Sequence, residues 1–265
     1  MRELRFEDVT VRYGTRRHGT VAVDRLNLTI PAGQVVGLVG ESGSGKSTLA
    51  RAAVGLTPVT DGRILLDGEP VLHGWLSRRE SLPSAHRARR PMQMVFQDPY
   101  SSLDPRMTVG ASIAEAMPRG LSRPERRAEV ARLLELVELA PERAEVYPAE
   151  LSGGQRQRVA LARALAGQPE VIIADEITSA LDVSIQGTVL NLVRDLQRRM
   201  RLTMLFISHN LAVVRYVSDH IAVMHHGRLV ESAPADEVLT NPQDPYTREL
   251  LEAAGQGPYQ TRRSR

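Results

Sequence analysis

The chain contains no cysteine in 265 residues. It therefore has no disulfide, no zinc–thiolate centre and no cysteine-ligated iron–sulfur cluster, a composition compatible with a reducing compartment. Long apolar runs are also missing. No stretch approaches the roughly 18 uninterrupted apolar residues of a membrane span, and the first eight residues, Met1 to Asp8, alternate charge too densely for the apolar region of a signal peptide. These absences lead to the expectation of a cytoplasmic protein without a membrane span of its own. Aromatic residues are few, with three Phe and one Trp, so stacking platforms for nucleic-acid bases are poorly supplied. Basic clusters occur at Arg78 and Arg79, at Arg87, Arg89 and Arg90, at Arg123, Arg126 and Arg127, at Arg198, Arg199 and Arg201, and at Arg262, Arg263 and Arg265. With a net charge of only +3 and glutamates interleaved on helical stretches, they read as solvated faces, and no nucleic-acid partner is expected.

Lysine is nearly absent as well. Of 34 basic residues only Lys46 is a lysine, and it lies in Gly40-Glu41-Ser42-Gly43-Ser44-Gly45-Lys46-Ser47-Thr48. A compact ammonium can be enclosed by backbone groups where a planar guanidinium cannot. The stretch fits G-x-x-x-x-G-K-[ST], in which glycines turn backbone N–H groups toward a phosphate chain, the lysine reaches the β- and γ-phosphates, and the next hydroxyl ligates Mg²⁺. Gln34 to Val39 reads as a buried strand before the loop and Ser47 to Val54 as a helix after it, which is the context that motif requires.

Around this unit the patterning changes three times. The first thirty residues alternate as strands, with Leu4, Phe6, Val9 and Val11 followed by Val21, Val23, Leu26, Leu28 and Ile30, and Arg63 to Leu66 forms a return strand. From about Thr108 to Leu139 apolar residues recur at helical spacing, as in Val130, Leu133, Leu134 and Val137. Short apolar strands then return at Val171–Ala174, Met204–Ile207 and Ile221–Met224, separated by helices, giving the βαβ alternation of a parallel sheet. Residues 255–265 are rich in Gly, Gln and Arg and are expected to form a mobile tail.

Nucleotide hydrolysis needs Mg²⁺ held from a second side and a water that is oriented and deprotonated. Val171 to Glu176 is an apolar strand ending in two carboxylates. Asp175 is thus a candidate for the Mg²⁺ shell and Glu176 for the general base, a role typically worth about 10² to 10⁴ in rate. A second anion site is suggested at Leu151 to Val159, where Ser152 is a good N-cap and Gly153-Gly154 leaves the helix N-terminus bare.

Leu151 to Val159 resembles the signature motif of ABC-type ATPases, and the other landmarks match that family in order and spacing over nearly the whole chain. The resemblance implies an α/β P-loop NTPase core with a mainly parallel sheet, an N-terminal antiparallel β subdomain (about 1–30 and 60–70) and an inserted helical subdomain (about 98–165), all within one domain over 1–254. It makes Gly40, Ser42, Gly43, Gly45, Lys46, Ser47 and Thr48 the Walker A loop that binds ATP, with Ser47, Gln97 and Asp175 around Mg²⁺. Gln97 becomes the Q-loop glutamine, Glu176 the base, Ser179 to Asp182 the D-loop, and His209 the switch histidine on the γ-phosphate. Tyr13 falls where the family stacks an aromatic ring on adenine. Ser152, Gly153, Gly154 and Gln155 would close on the γ-phosphate held by a partner, because family members pair head to tail.

Two further stretches narrow the resemblance. Phe96 to Val109 is similar to the extended Q-loop of the ATPase subunits of dipeptide, oligopeptide and nickel importers. Asn241 to Leu250 is similar to that subfamily's C-terminal Pro-x-His-Pro-Tyr-Thr segment, although Asp244 stands in place of the histidine and Ile177 in place of the proline that commonly follows the Walker B glutamate. The partners implied are a second ABC ATPase subunit, either the same chain or a paralogue, integral membrane permeases docking near Tyr100 to Thr108, and indirectly a solute-binding protein. The location implied is the cytoplasmic face of the membrane. A soluble ABC subunit such as that of carbon-phosphorus lyase is the alternative. His225 and His226 lack metal-ligand spacing and read as surface residues.

Overall fold

The computed structural model describes residues 2–14, 19–71, 91–98 and 102–254. The tail expected at 255–265 and the arginines at 78, 79, 87, 89 and 90 lie outside them.

Among the described residues ten strands form two sheets. In the first, β1 (Leu4–Tyr13), β2 (Thr20–Ile30), β4 (Asp61–Leu66) and β5 (Glu69–Pro70) are antiparallel in the order β2-β1-β4-β5. The second contains β3 (Val35–Val39), β6 (Met92–Val95), β7 (Val171–Asp175), β8 (Thr203–Ile207), β9 (His220–His225) and β10 (Arg228–Pro234), in the order β10-β9-β3-β8-β7-β6. Every pairing from β9 to β6 is parallel, and only β10 runs back against β9.

The side-chain period of two explains how this sheet separates two cores. In β3, Val35 and Val39 join one apolar cluster while Val36 and Leu38 join the other. In β7, Ile172 and Ala174 face the first and Val171 and Ile173 the second. The first cluster takes in the helices α2 (Val109–Ala116), α3 (Arg123–Leu136), α4 (Gly153–Ala166), α5 (Val183–Met200), α6 (Leu211–Val217), α7 (Ala235–Thr240) and α8 (Pro245–Ala253). The second holds α1 (Lys46–Ala53) and the antiparallel sheet. A strand buried on both faces has no polar alternation, which is why β3, β7 and β8 appear in the sequence as continuous apolar runs. Gly37 allows α6 to lie close on β3, since a Cβ there would sit 2.2 Å from Val214 Cγ1.

The helical run read from Thr108 to Leu139 is two helices with a break between them. Thr108 caps α2, accepting from the Ala111 N–H, and Ser122 opens α3 with a full capping box to Glu125 and Pro124 in the first turn. Among the described residues no helix is long and apolar enough to cross a membrane.

Candidate functional site

Because β9, β3, β8, β7 and β6 are parallel neighbours, their C-terminal ends line one edge of the sheet. In that order they deliver His225, the loop Gly40–Thr48, His209, the pair Asp175 and Glu176, and Gln97. Ligands of open parallel sheets bind at this edge.

Gly40, Gly43 and Gly45 of the loop have φ values of 149°, 83° and 106°, a region that side chains with a Cβ rarely enter. Packing adds a second reason at two of them. A Cβ on Gly40 would lie 2.0 Å from the Met224 carbonyl oxygen, and one on Gly45 2.2 Å from that of Ala22, whereas Gly43 has nothing within 4 Å. Gly45 precedes α1 without a side-chain cap, so the first N–H groups of that helix remain available to an anion. Ser42 is exposed on the rim of the loop.

Lys46 is only 4% exposed. Its ammonium donates to the carbonyl oxygens of Gly40 and Glu41, both at 2.7 Å, and to Ser44 Oγ at 3.2 Å. Burial holds its pKa below the usual lysine value, and the carboxylates of Glu176, Asp175 and Glu41 work against that shift. Three neutral oxygens are weak partners for a buried cation, so exchange for phosphate oxyanions is favourable. Ser44, absent from the sequence candidates, contributes through its buried hydroxyl.

Ser47 Oγ donates to Asp175 Oδ1 at 3.1 Å, bringing the hydroxyl of one strand-loop unit to the carboxylate of another. A hydroxyl and a carboxylate are the hard oxygen donors that Mg²⁺ takes from proteins, leaving substrate phosphates and water to complete the shell. Asp175 is buried, which raises its pKa; the Ser47 hydrogen bond lowers it, and the Glu176 charge raises it further. An acid whose pKa is raised on folding opposes folding once ionised. That cost is full above the folded pKa and fades as pH falls through it toward the unfolded value. Asp175→Asn, which retains an acceptor for Ser47, is therefore expected to raise the melting temperature of the nucleotide-free protein at pH 7 and to have no such effect in acid. Equal melting temperatures at pH 7 would contradict this.

Glu176 follows β7 with φ 48° and donates its N–H to the Ile207 carbonyl at 2.9 Å. Left-handed backbone costs a residue with a Cβ about 1–2 kcal/mol, and strain of this kind collects where a side chain must be aimed. Here it aims Oε2 to 3.4 Å from Nδ1 of His209, which stands exposed after β8. Ser179 Oγ donates to the Glu176 carbonyl at 2.9 Å, and Gln186 Nε2 donates to the carbonyls of Thr178 and Leu181, fixing the turn that leads to Asp182. Asp182 is exposed and precedes α5. Gln97 is exposed in the bend after β6.

Tyr13 is the last residue of β1. It is 45% exposed, with its hydroxyl 3.4 Å from Thr48 Oγ1. An aromatic face thus stands open to solvent at the rim of the loop.

The Ser152–Gln155 corner opens α4. Ser152 Oγ accepts from the Gln155 N–H at 3.3 Å, and Gln155 Oε1 accepts from the Ser152 N–H at 3.0 Å, a reciprocal capping box. Gly154 lies against α5, where a Cβ would sit 2.5 Å from Ile185 Cγ2. None of the hydrogen bonds of this corner found among the described residues reaches the loop at 40–48. Its helix start is closed by its own capping box.

His226 is exposed, while His225 is half-buried and stacked on Tyr246. Tyr246 itself touches the loop at 40–48, accepting the Glu41 N–H, a contact with no signature in Asn241 to Leu250.

Residues 23–179 match the family model described as ABC transporter. The chain is 51% identical over 253 residues to the oligopeptide transport ATP-binding protein OppF of Bacillus subtilis, covering 94% of this chain and 81% of that one. It is 47% identical over 258 residues to the di/tripeptide transport ATP-binding protein DppF of Pseudomonas aeruginosa, covering 94% and 78%. Among solved structures, the ATP-binding cassette MJ0796, in a dimeric post-hydrolysis state bound to ADP and Pi, superposes with a TM-score of 0.74 at 29% identity, covering 88% of this chain and 98% of that chain.

Proposed function

The chain belongs to the ABC transporter family, and from that premise we propose that it is the ATP-hydrolysing subunit that powers a peptide importer. The observation that carries the catalytic part is the meeting of Ser47 with Asp175 at 3.1 Å and of Glu176 with His209 at 3.4 Å, beside a buried lysine held only by neutral oxygens. The peptide cargo is supported by the identity to OppF and DppF over nine-tenths of the chain.

In this reading the loop amides and Lys46 bind the phosphates of ATP, and the ring of Tyr13 stacks on adenine. When bound between Ser47 and Asp175, Mg²⁺ supplies charge neutralisation to the β- and γ-phosphates. Glu176 accepts a proton from the attacking water, and His209, beside it, donates a hydrogen bond to the γ-phosphate. Gln97 bridges from that edge to the helices on the same face. Ser152, Gly153, Gly154 and Gln155 close on the nucleotide of a second ATPase subunit, this chain or a paralogue, with Asp182 at the pair's interface. Binding of two ATP molecules closes the pair, hydrolysis reopens it, and the motion switches membrane permeases that receive cargo from a solute-binding protein. The permeases dock near Tyr100 to Thr108 on the cytoplasmic face of the membrane. Of that stretch Tyr100 and Ser101 lie outside the described residues.

Uptake tests the reading. Cells whose only copy of this subunit carries Glu176→Gln are expected to lose uptake of a labelled tripeptide while keeping normal permease abundance. Uptake at the wild-type rate would refute a role in peptide import.

A further inference from the structure

The C-terminal segment, which the proposed mechanism leaves idle, grips the outer side of the phosphate loop. Tyr246 is 8% exposed, and its hydroxyl accepts the Glu41 N–H at 3.0 Å. Glu41 N–H and Gly40 C=O belong to one peptide unit. In a trans peptide the two point in opposite directions. The carbonyl faces inward and accepts from Lys46 Nζ at 2.7 Å, while the N–H faces outward to Tyr246. A second outer contact lies three residues on, where the Gly227 N–H donates to the Ser44 carbonyl at 2.9 Å.

The tyrosine is itself held on several sides. Its ring stacks on the imidazole of His225, with centroids 3.8 Å apart and planes 8° from parallel. Asp244 caps α8 by accepting the Tyr246 N–H at 2.8 Å, and Pro245 occupies the first helical position. The carboxylate of Glu231 on β10 takes the N–H groups of Gln243 at 2.8 Å and Asp244 at 3.1 Å. A continuous series of contacts therefore runs from β10 through the helix cap to the loop.

We propose that Tyr246 is a positioning residue for ATP binding: its hydroxyl fixes the Gly40–Glu41 peptide in the orientation that keeps the loop open for phosphate, and so couples α8 to nucleotide occupancy. When Lys46 leaves the Gly40 carbonyl for the phosphates, that peptide loses its inner partner, and the Tyr246 hydroxyl is what continues to hold it. Without the hydroxyl, Gly40, which carries no Cβ, permits the peptide to rotate. The competent loop is then only partly populated, and apparent affinity falls by that fraction. Coupling is reciprocal, so ATP must also steady α8.

The inference rests on the loop at 40–48 being the ATP cradle, and the test separates the two. In the full-length protein, Tyr246→Phe keeps the ring and its stack and removes one oxygen. It is expected to raise the Kd and KM for ATP about fivefold, the scale of one lost hydrogen bond, with kcat within twofold of wild type. His225→Ala, which unseats the ring, should act in the same direction. ATP should slow amide hydrogen exchange in Pro245–Ala253 of the wild-type protein and leave it unchanged in Tyr246→Phe. Wild-type ATP affinity in Tyr246→Phe, with or without a lower melting temperature, would overturn the proposal. Failure of the wild-type protein to bind ATP would instead overturn the cradle assignment beneath it.

Discussion

Glu176→Gln is expected to lower steady-state ATP hydrolysis by at least about 100-fold, the lower range for removal of a general base, while leaving ATP affinity near wild type. The substitution is isosteric and preserves the left-handed backbone at φ 48° and the N–H bond to Ile207. It removes the carboxylate placed beside His209 at the sheet edge. Asp175 does not take over, because its Oδ1 is engaged by the Ser47 hydroxyl. With binding intact and turnover lost, the ATP-bound pair should accumulate as a dimer on size-exclusion chromatography. Hydrolysis close to the wild-type rate would remove Glu176 from the role of base.

Lys46→Ala acts one step earlier. The ammonium is the only side-chain cation in the loop, and its present partners are two backbone carbonyls and a hydroxyl. A charge-assisted hydrogen bond to phosphate is worth about 1.5–3 kcal/mol, so ATP affinity should fall roughly 10- to 100-fold, with hydrolysis falling alongside it. The folded protein should tolerate the change well, because the lysine pays a burial cost that lowers its pKa and alanine pays none. Titration of fluorescent ATP reads this directly, and unchanged affinity would refute the cradle. Arginine should not substitute, since a planar fork does not fit where Nζ meets three oxygens within 3.2 Å.

Much of this site is legible in the sequence. The glycines and Lys46 stood in one motif, β3 and β7 were continuous apolar runs because both faces are buried, and the two acids at 175 and 176 closed the second of those runs. What pattern reading could not supply was adjacency across the sheet. Nothing local in Ser47 or Asp175 says that 128 residues of chain return to 3.1 Å; that follows from β3 and β7 flanking β8. The strained φ of Glu176 was hidden as well, because it is imposed by the Ile207 carbonyl on a neighbouring strand. Tyr246 lies in the stretch Asn241 to Leu250 with no task visible in the sequence, since its partner is a backbone N–H, and backbone groups carry no sequence signature. His225, read as a surface histidine, packs on that tyrosine for the same reason.

The central feature of the proposed mechanism is a catalytic centre shared between two subunits, with the Ser152–Gln155 corner of one closing on the nucleotide held at Lys46 of the other. Absence of cysteine makes that directly measurable, because a cysteine introduced at Ser42 is the chain's sole thiol. In the assembled transporter, with Glu176→Gln to hold ATP, Ser42→Cys should form a disulfide with a cysteine replacing the serine that opens the signature loop of the partner subunit, Ser152 if the partner is this same chain. The cross-link should join two chains, require ATP and be lost with Lys46→Ala. No cross-link in the presence of ATP, or a cross-link confined within one chain, would contradict a shared centre.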